Sequence, residues 1–218
     1  MSNNDSFIDE VTEEVRRDKL FAAFRKYGWI GVLVILGIVG GTAWNQWHQA
    51  QEAARAQAFG DAVLDALDLG AADERMAALA DVPATGAQAG LLGLMLSTDP
   101  EADKAGALTA LDKVAADAAL APIYRDLAVL RRVIVAGADS PLADRRTALE
   151  GIAVAGRPYR VLAQEQLALL AIEEGQTDTA ITLLTALLTD QEATQGLRTR
   201  ASQLIVALGG TVPTPEAG

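Results

Sequence analysis

Few residues in this chain have the types and spacing that catalysis requires. A nucleophilic triad places a base beside a Ser, Thr or Cys side chain, but the sequence contains no Cys and one histidine, His48. His48 stands among apolar and amide residues at the end of an apolar stretch, where an interfacial side chain is the better interpretation. The sequence therefore predicts that the chain is not an enzyme of this kind.

The acidic and glycine clusters also lack the spacing of a binding site. Asp99-Pro100-Glu101-Ala102-Asp103 has neither the glycine at position six nor the glutamate at position twelve of a calcium loop. Gly90-Leu91-Leu92-Gly93 falls in an apolar helical pattern, and the adjacent Glu173 and Glu174 do not face each other on a helix. We expect no catalytic residue, no metal, no cofactor and no small-molecule substrate.

Charge and composition narrow the fold class and the partners. The formal net charge is −11, and the chain beyond Trp47 holds 13 Lys or Arg against 23 Asp or Glu. Because nucleic-acid binding requires a basic patch, this balance argues against a nucleic-acid partner. Aromatic residues make up only 5% of the chain, while Ala and Leu dominate. This composition favours an all-α fold with small residues at the helix contacts.

One charge-free stretch divides the chain. Residues 27–47 read YGWIGVLVILGIVGGTAWNQW, and a helix of that length crosses the roughly 30 Å hydrocarbon core of a bilayer. Aromatic rings flank its apolar centre at both ends, as in interfacial belts; they belong to Tyr27, Trp29, Trp44 and Trp47. We predict a single transmembrane helix over 27–47, in contact with the lipid bilayer. A cleaved signal peptide is the alternative.

Basic residues are concentrated before this segment. They are Arg16, Arg17, Lys19, Arg25 and Lys26, whereas only Arg55 lies within a similar distance after it. The positive-inside rule then predicts a cytoplasmic N-terminus and a C-terminal region outside the cytoplasm. For a bacterial inner membrane the outside is the periplasm. Residues 1–26 are expected to form a cytoplasmic amphipathic tail.

The helical pattern continues beyond the apolar stretch. Residues 48–70 predict an Ala-rich helical stalk, and 209–218 predict a disordered tail. Between them, Gly, Pro and Asp punctuate short helical patterns without any strand signal. The predicted short helices lie near 74–80, 86–97, 102–117, 121–136, 141–154, 158–174, 177–189 and 194–208.

Two motifs recur within this helical region. Residues 107–117, ALTALDKVAAD, match residues 180–190, AITLLTALLTD. Tyr124-Arg125-Asp126-Leu127-Ala128 returns 35 positions later as Tyr159-Arg160-Val161-Leu162-Ala163, and a weaker copy starts at Leu197. The period suits a helix–turn–helix repeat of about 34 residues, in which stacking buries faces that one helix pair cannot cover. Residues 71–208 are therefore predicted to form an α-solenoid.

The unit from Pro158 to Asp190 resembles a tetratricopeptide repeat (TPR). Ala168 and Ala180 have that family's separation of small residues, Gly175 occupies the turn, and Leu184 takes the large apolar position. The resemblance implies a TPR-like fold for the repeats of the region 71–208.

Joined to the apolar segment, these repeats resemble a family of membrane-anchored proteins. The anchor ends in Ala43-Trp44-Asn45-Gln46-Trp47, an Ala-rich stalk follows, and the repeats come last. Together they are similar to the ancillary SecYEG translocon subunit (YfgM-like) family of Gram-negative bacteria. The resemblance implies a periplasmic TPR-like domain, no enzymatic activity, and association with translocon subunits, periplasmic chaperones or their clients.

The expected function is a non-enzymatic inner-membrane scaffold that binds proteins as an accessory to the Sec translocon and the periplasmic chaperones. The candidate groove helices lie near 121–136 and 158–174, and their polar contacts would be Arg125, Arg131, Arg132, Arg160 and Glu165. Salt bridging within the repeats is the alternative interpretation of these five residues. The alternative functions are an envelope-assembly or cell-division adaptor, and a periplasmic chaperone released by cleavage.

Overall fold

The described part of the chain is helical throughout. The computed structural model describes the backbone of residues 4–213, and the side chains of residues 25, 29–31 and 33–213. No strand occurs in that part, so the all-α expectation is confirmed. The predicted tail over 209–218 lies outside the described residues from position 214 onward.

Helix bounds follow the punctuation in the sequence. The helices of the described residues are α1 (Asn4–Leu67), α2 (Ala72–Ala80), α3 (Ala87–Leu96), α4 (Lys104–Ala116), α5 (Pro122–Ala136), α6 (Leu142–Glu150), α7 (Arg160–Glu173), α8 (Thr177–Thr189) and α9 (Gln195–Ala207), with a 3-10 turn at Gly137–Asp139. Each short helix predicted from the sequence is present. The helix predicted over 141–154 ends earlier, at Glu150, where Gly151 follows.

Local chemistry explains several of these ends. The Asp103 carboxylate accepts a hydrogen bond from the Gly106 N–H at 2.8 Å, which caps α4. Pro122 opens α5, where its missing N–H costs nothing. After α7 the chain turns through Gly175 at φ +74°. A residue without Cβ adopts that angle freely, so Gly175 forms the turn that the sequence predicted.

The chain divides into two compact units, Met1–Ala58 and Phe59–Gly218. In the described residues the first unit consists of α1 as far as Ala58. The second unit takes its first helical turns from the end of α1, because Val63 and Ala66 are buried there. They pack with Leu79 of α2 and Leu92 of α3. Part of the predicted stalk over 48–70 therefore contributes to a packed core.

In the second unit each short helix packs against its neighbours in sequence. One buried cluster joins α5, α6 and α7, and it contains Leu130, Leu149 and Leu170. Another joins α7, α8 and α9, and it contains Leu184 and Ile205. A third joins α3, α4 and α5. In these clusters the apolar face of one short helix is covered by the helices next to it in sequence. Each large aliphatic side chain buried in this way contributes roughly 1.5–3 kcal/mol to stability.

The internal repeats correspond to repeated geometry. Ala128, Ala163 and Ala201, which occupy the same place in the three motif copies, are all 0% exposed. A methyl side chain at such a point lets two helix backbones approach closely. The two copies of the other motif end in the same turn, since Asp117 and Asp190 each accept a backbone N–H two residues ahead at 2.9 Å.

A close helix contact at Gly93 of α3 gives a test of this packing. A Cβ at Gly93 would lie 2.4 Å from Cγ2 of the buried Val114, and a β-branched side chain cannot move away easily. We expect Gly93→Ala to lower the free energy of unfolding by about 1–3 kcal/mol, although Ala favours helix by about 1 kcal/mol. This change is measured by urea unfolding of the full-length chain in detergent, with far-UV circular dichroism as the signal.

Gly60 provides the matched control. It is also helical, but a Cβ there meets no atom within 4 Å. Gly60→Ala should therefore raise the free energy of unfolding by up to about 1 kcal/mol. Equal stability of Gly93→Ala and Gly60→Ala would contradict close packing between Gly93 and Val114.

Candidate membrane segment and protein-binding surface

The apolar part of α1 exposes its side chains to solvent. Ile35, Leu36 and Ile38 are 62%, 60% and 62% exposed, and no residue in the apolar window is buried. Leaving large aliphatic side chains in water forfeits about 1.5–3 kcal/mol each. Within the described residues, one helical segment is long enough and apolar enough to cross a membrane. It is the part of α1 over Trp29–Leu67, and its apolar residues lie toward its N-terminal end.

Between Trp29 and Trp47 polar side chains are few, and the one hydroxyl, that of Thr42, is satisfied within the helix. The Thr42 hydroxyl donates to the carbonyl oxygens of Ile38 and Val39 at 2.9 Å. Lipid offers no hydrogen-bond partner, so such internal bonding suits a bilayer. At the C-terminal end of the predicted aromatic belt, the rings of Trp44 and Trp47 are exposed, with centroids 5.7 Å apart.

The other predicted anchor residues are only partly described. Trp29 is exposed, and so is Arg25. The remaining residues of the aromatic belt and the basic flank, which are Tyr27, Arg16, Arg17, Lys19 and Lys26, have side chains outside the described residues. The amphipathic face predicted for the tail over 1–26 lies outside them as well. Orientation across a membrane therefore stays a prediction from charge.

Two of the predicted groove residues, both on α5, bind neighbouring helices. Arg131 donates to the carbonyl oxygens of Ser97 at 2.7 Å and Leu94 at 3.4 Å, at the end of α3. Arg132 pairs with Asp112 of α4. Each guanidinium therefore links α5 to a helix beside it. Arg132 does so through a salt bridge, as the alternative interpretation expected, and Arg131 does so through backbone carbonyl oxygens.

Two further groove residues belong to α7 and are also paired. The Arg160 guanidinium donates to both carboxylate oxygens of Asp190, at 2.8 and 2.7 Å, and to Glu192 at 2.9 Å. The Glu165 carboxylate accepts two bonds from Arg200 of α9, both 2.9 Å long. These fork-to-fork pairs tie α7 to the end of α8 and to α9.

The fifth groove residue, Arg125, sits beside a buried carboxylate. Asp126 is 0% exposed and pairs with Arg157, which precedes α7. Burial raises the pKa of the Asp126 carboxyl despite the positive charges of Arg157 and Arg125. The Nε of Arg125 is buried without a hydrogen-bond partner. The five residues thus lie at separate helix contacts and do not converge on one site, and their role in binding a partner stays a prediction.

The residues weighed for catalysis are also separated. His48 is exposed on α1. Glu173 and Glu174 pair with Arg145 and Arg146 of α6, one acid to each guanidinium. Among the described residues, no three His, Asp or Glu side chains are grouped closely enough to hold a metal ion.

Sequence reasoning missed an apolar groove with a volume of about 640 Å³. It lies between α2 and α4, with the end of α3 behind it, and it is lined mainly by Ala, Gly, Met and Leu. The available signal was the spacing of Gly106 and Ala110, which puts two small residues on one face of α4. Small residues near a helix surface are common, so this spacing did not mark a groove by itself.

Comparison with known proteins gives no relative. No protein-family model matches the chain, and neither do any of the curated proteins or solved structures that were searched.

The Arg160–Asp190 pair gives a pH-dependent prediction. Hydrogen bonds from Arg160, and then from the Glu192 N–H, lower the pKa of the Asp190 carboxyl. A carboxyl with a lowered folded-state pKa adds stability above its unfolded value of about 3.9. That stability disappears as the pH falls through the folded-state pKa. We expect the free energy of unfolding to decrease below about pH 4.

Asp190→Asn isolates this contribution. The side-chain oxygen of Asn can still accept the Glu192 N–H, but the charge that pairs with Arg160 is lost. At neutral pH the variant should lose about 2–3 kcal/mol in urea unfolding of the full-length chain, and its pH dependence below about pH 4 should be flatter than that of the wild type. Asp65→Asn, at an exposed acid of α1, is the control and should change stability by less than about 0.5 kcal/mol. Equal losses in the two variants would refute the assignment.

Proposed function

We propose that this chain is a non-enzymatic, single-pass membrane protein whose helical unit binds other proteins. The observation that carries the proposal is the exposed apolar surface of α1 between Trp29 and Trp47. Such a surface needs a non-aqueous environment, while the same chain also builds a packed unit of short helices. A membrane anchor joined to a helical binding domain accounts for both features.

A TPR-like α-solenoid is the proposed architecture of the helical unit. Its support is the packing of consecutive short helices, α4 to α9, with small residues at the contacts. Ala168 and Ala180, the pair that resembles the TPR signature, are both 0% exposed. Gly175 forms the turn between them with a positive φ. Stacked helix pairs of this kind commonly present extended surfaces to protein partners.

The proposed location is a bacterial inner membrane, with the N-terminus in the cytoplasm and the helical unit in the periplasm. Its support is the excess of Lys and Arg before the apolar segment. The proposed partners are subunits of the Sec translocon and periplasmic chaperones or their clients, on the strength of the resemblance to the YfgM-like family. The role would be accessory to translocation or to the folding of exported proteins.

Cysteine labelling tests the orientation, because the chain has no native Cys and therefore no background. We expect Ala53→Cys, after the apolar segment, to react with a membrane-impermeant maleimide in intact spheroplasts. Ser6→Cys, before the segment, should react only after detergent is added. The shift in gel mobility on labelling shows whether each cysteine has reacted. The mobility of the unlabelled protein shows whether the chain has been cleaved.

Two outcomes would contradict this topology. The reverse labelling pattern would refute the orientation. A shortened product in the soluble periplasmic fraction would identify the segment as a cleaved signal, since a signal sequence also passes the length and composition criterion. The released-chaperone alternative would then replace the anchored scaffold.

Site-specific cross-linking tests the partners. A photoreactive amino acid at Gln49 or Gln51, both exposed on α1, should capture translocon subunits in living cells on illumination. Unilluminated cells and the Ser6 position provide the controls. Consistent capture of division or envelope-assembly proteins without any translocon subunit would reject the translocon role and favour the adaptor alternative.

A further inference from the structure

The groove between α2 and α4 has walls of small residues. Ala77 and Ala80 of α2 face Gly106 and Ala110 of α4, and Leu96 closes the groove from α3. The groove lies wholly within the unit Phe59–Gly218. Side chains this short allow the backbone of an additional helix to come close to the groove. The methyl groups of the alanines offer that helix apolar contact.

The rim of this groove is acidic, and one of its two carboxylates, that of Asp103, also caps α4. Asp73 and Asp103 line it, and neither forms an ion pair in the described part of the chain. The nearest basic residues in sequence are committed elsewhere. Arg75 donates to the carbonyl oxygens of Leu69 and Gly70 at the end of α1, and Lys104 pairs with Asp139.

The sequence on both sides of these two residues is also acidic. Between positions 61 and 103 the chain has nine Asp or Glu and one Arg. None of these nine acids forms a salt bridge in the described structure, whereas eight of the twelve acids between 104 and 200 do. An apolar floor with an acidic rim that has no paired basic side chain favours a ligand that is apolar on one side and basic on the other.

We propose that this groove binds a basic amphipathic helix of a partner protein. Its apolar side chains would lie against Met76, Ala77 and Leu96, and its Lys or Arg side chains would lie beside Asp73 and Asp103. This is the helix-in-groove mode of peptide recognition, with charge complementarity to orient the ligand. The inference rests on the proposed protein-binding role, and it assigns that role to a surface apart from Arg125, Arg160 and the other predicted groove residues.

The test uses full-length protein in nanodiscs of phosphatidylcholine and a fluorescein-labelled helical peptide of about 18 residues. The peptide carries Leu on one helical face and Lys on the others. Two control peptides have Glu in place of Lys, or the same composition in scrambled order. Fluorescence anisotropy, corrected with empty nanodiscs, should show saturable binding of the Lys peptide alone, weakened by added salt.

Matched variants locate the binding site. Ala77→Trp fills the groove and should raise the Kd at least about tenfold, whereas Ala143→Trp, at an exposed alanine of α6, should leave it within about twofold. Asp73→Asn should raise the Kd about threefold at low salt and reduce its salt dependence. Asp178→Asn, an exposed acid in the first turn of α8 as Asp73 is in α2, should do neither.

Several results would overturn the inference: no saturable binding above empty nanodiscs, equal binding of the Glu peptide, or equal affinity of Ala77→Trp and Ala143→Trp. Self-association that Ala77→Trp abolishes would assign the groove to a second copy of this chain instead. If Ala77→Trp does not fold, the comparison of Asp73→Asn with Asp178→Asn decides. The peptide-binding assay uses purified protein, whereas topology and partners are tested by labelling and cross-linking in cells. A negative peptide-binding result would therefore reject the groove without rejecting the anchored scaffold.

Discussion

Close approach between short helices is the constraint on which the second unit depends. Its helices are too short to be stable alone in water, so each must bury one face against its neighbours. Ala128, Ala163 and Ala201 make this possible, because each lies fully buried where two helices meet. The sequence repeats these alanines because the same contact recurs along the chain. A larger side chain at any of the three would separate the helices and expose the leucines beside them.

Arginine–carboxylate pairs hold these close-packed helices in register. Arg160 reaches from the start of α7 to Asp190 after α8, and Arg200 reaches from α9 to Glu165. The Arg160 pair is largely buried, with side-chain exposures of 15% and 17%, so its geometry matters more than that of an exposed pair. Arginine is suited to the task because its planar fork binds two carboxylate oxygens at once.

The sequence predicted the helices well and the side-chain partners poorly, for a physical reason. Helix ends are local: Gly175, Pro122 and the Asp103 cap act within a few residues. The partner of Arg160 depends on which helices become neighbours, and that information is not local. The sequence therefore left both a binding groove and a salt bridge open for Arg160, and its distance to Asp190 identifies the salt bridge. The groove lined by Ala77 and Ala110 went unnoticed because alanine gives no charge or size signal.

The distribution of paired acids separates structural charge from available charge. In the region 104–200 the acids mostly neutralise arginines at helix contacts, so their removal would expose unpaired guanidinium groups. The acids between 61 and 103 have no such partners, and their mutual repulsion opposes folding to a small extent. Some of them stabilise helix ends, as Asp103 does at α4, but none of them neutralises a basic side chain in the described residues. A basic helix in the groove between α2 and α4, as proposed, would reduce this repulsion on binding, so the proposal predicts that charge at this end of the helical unit contributes to recognition.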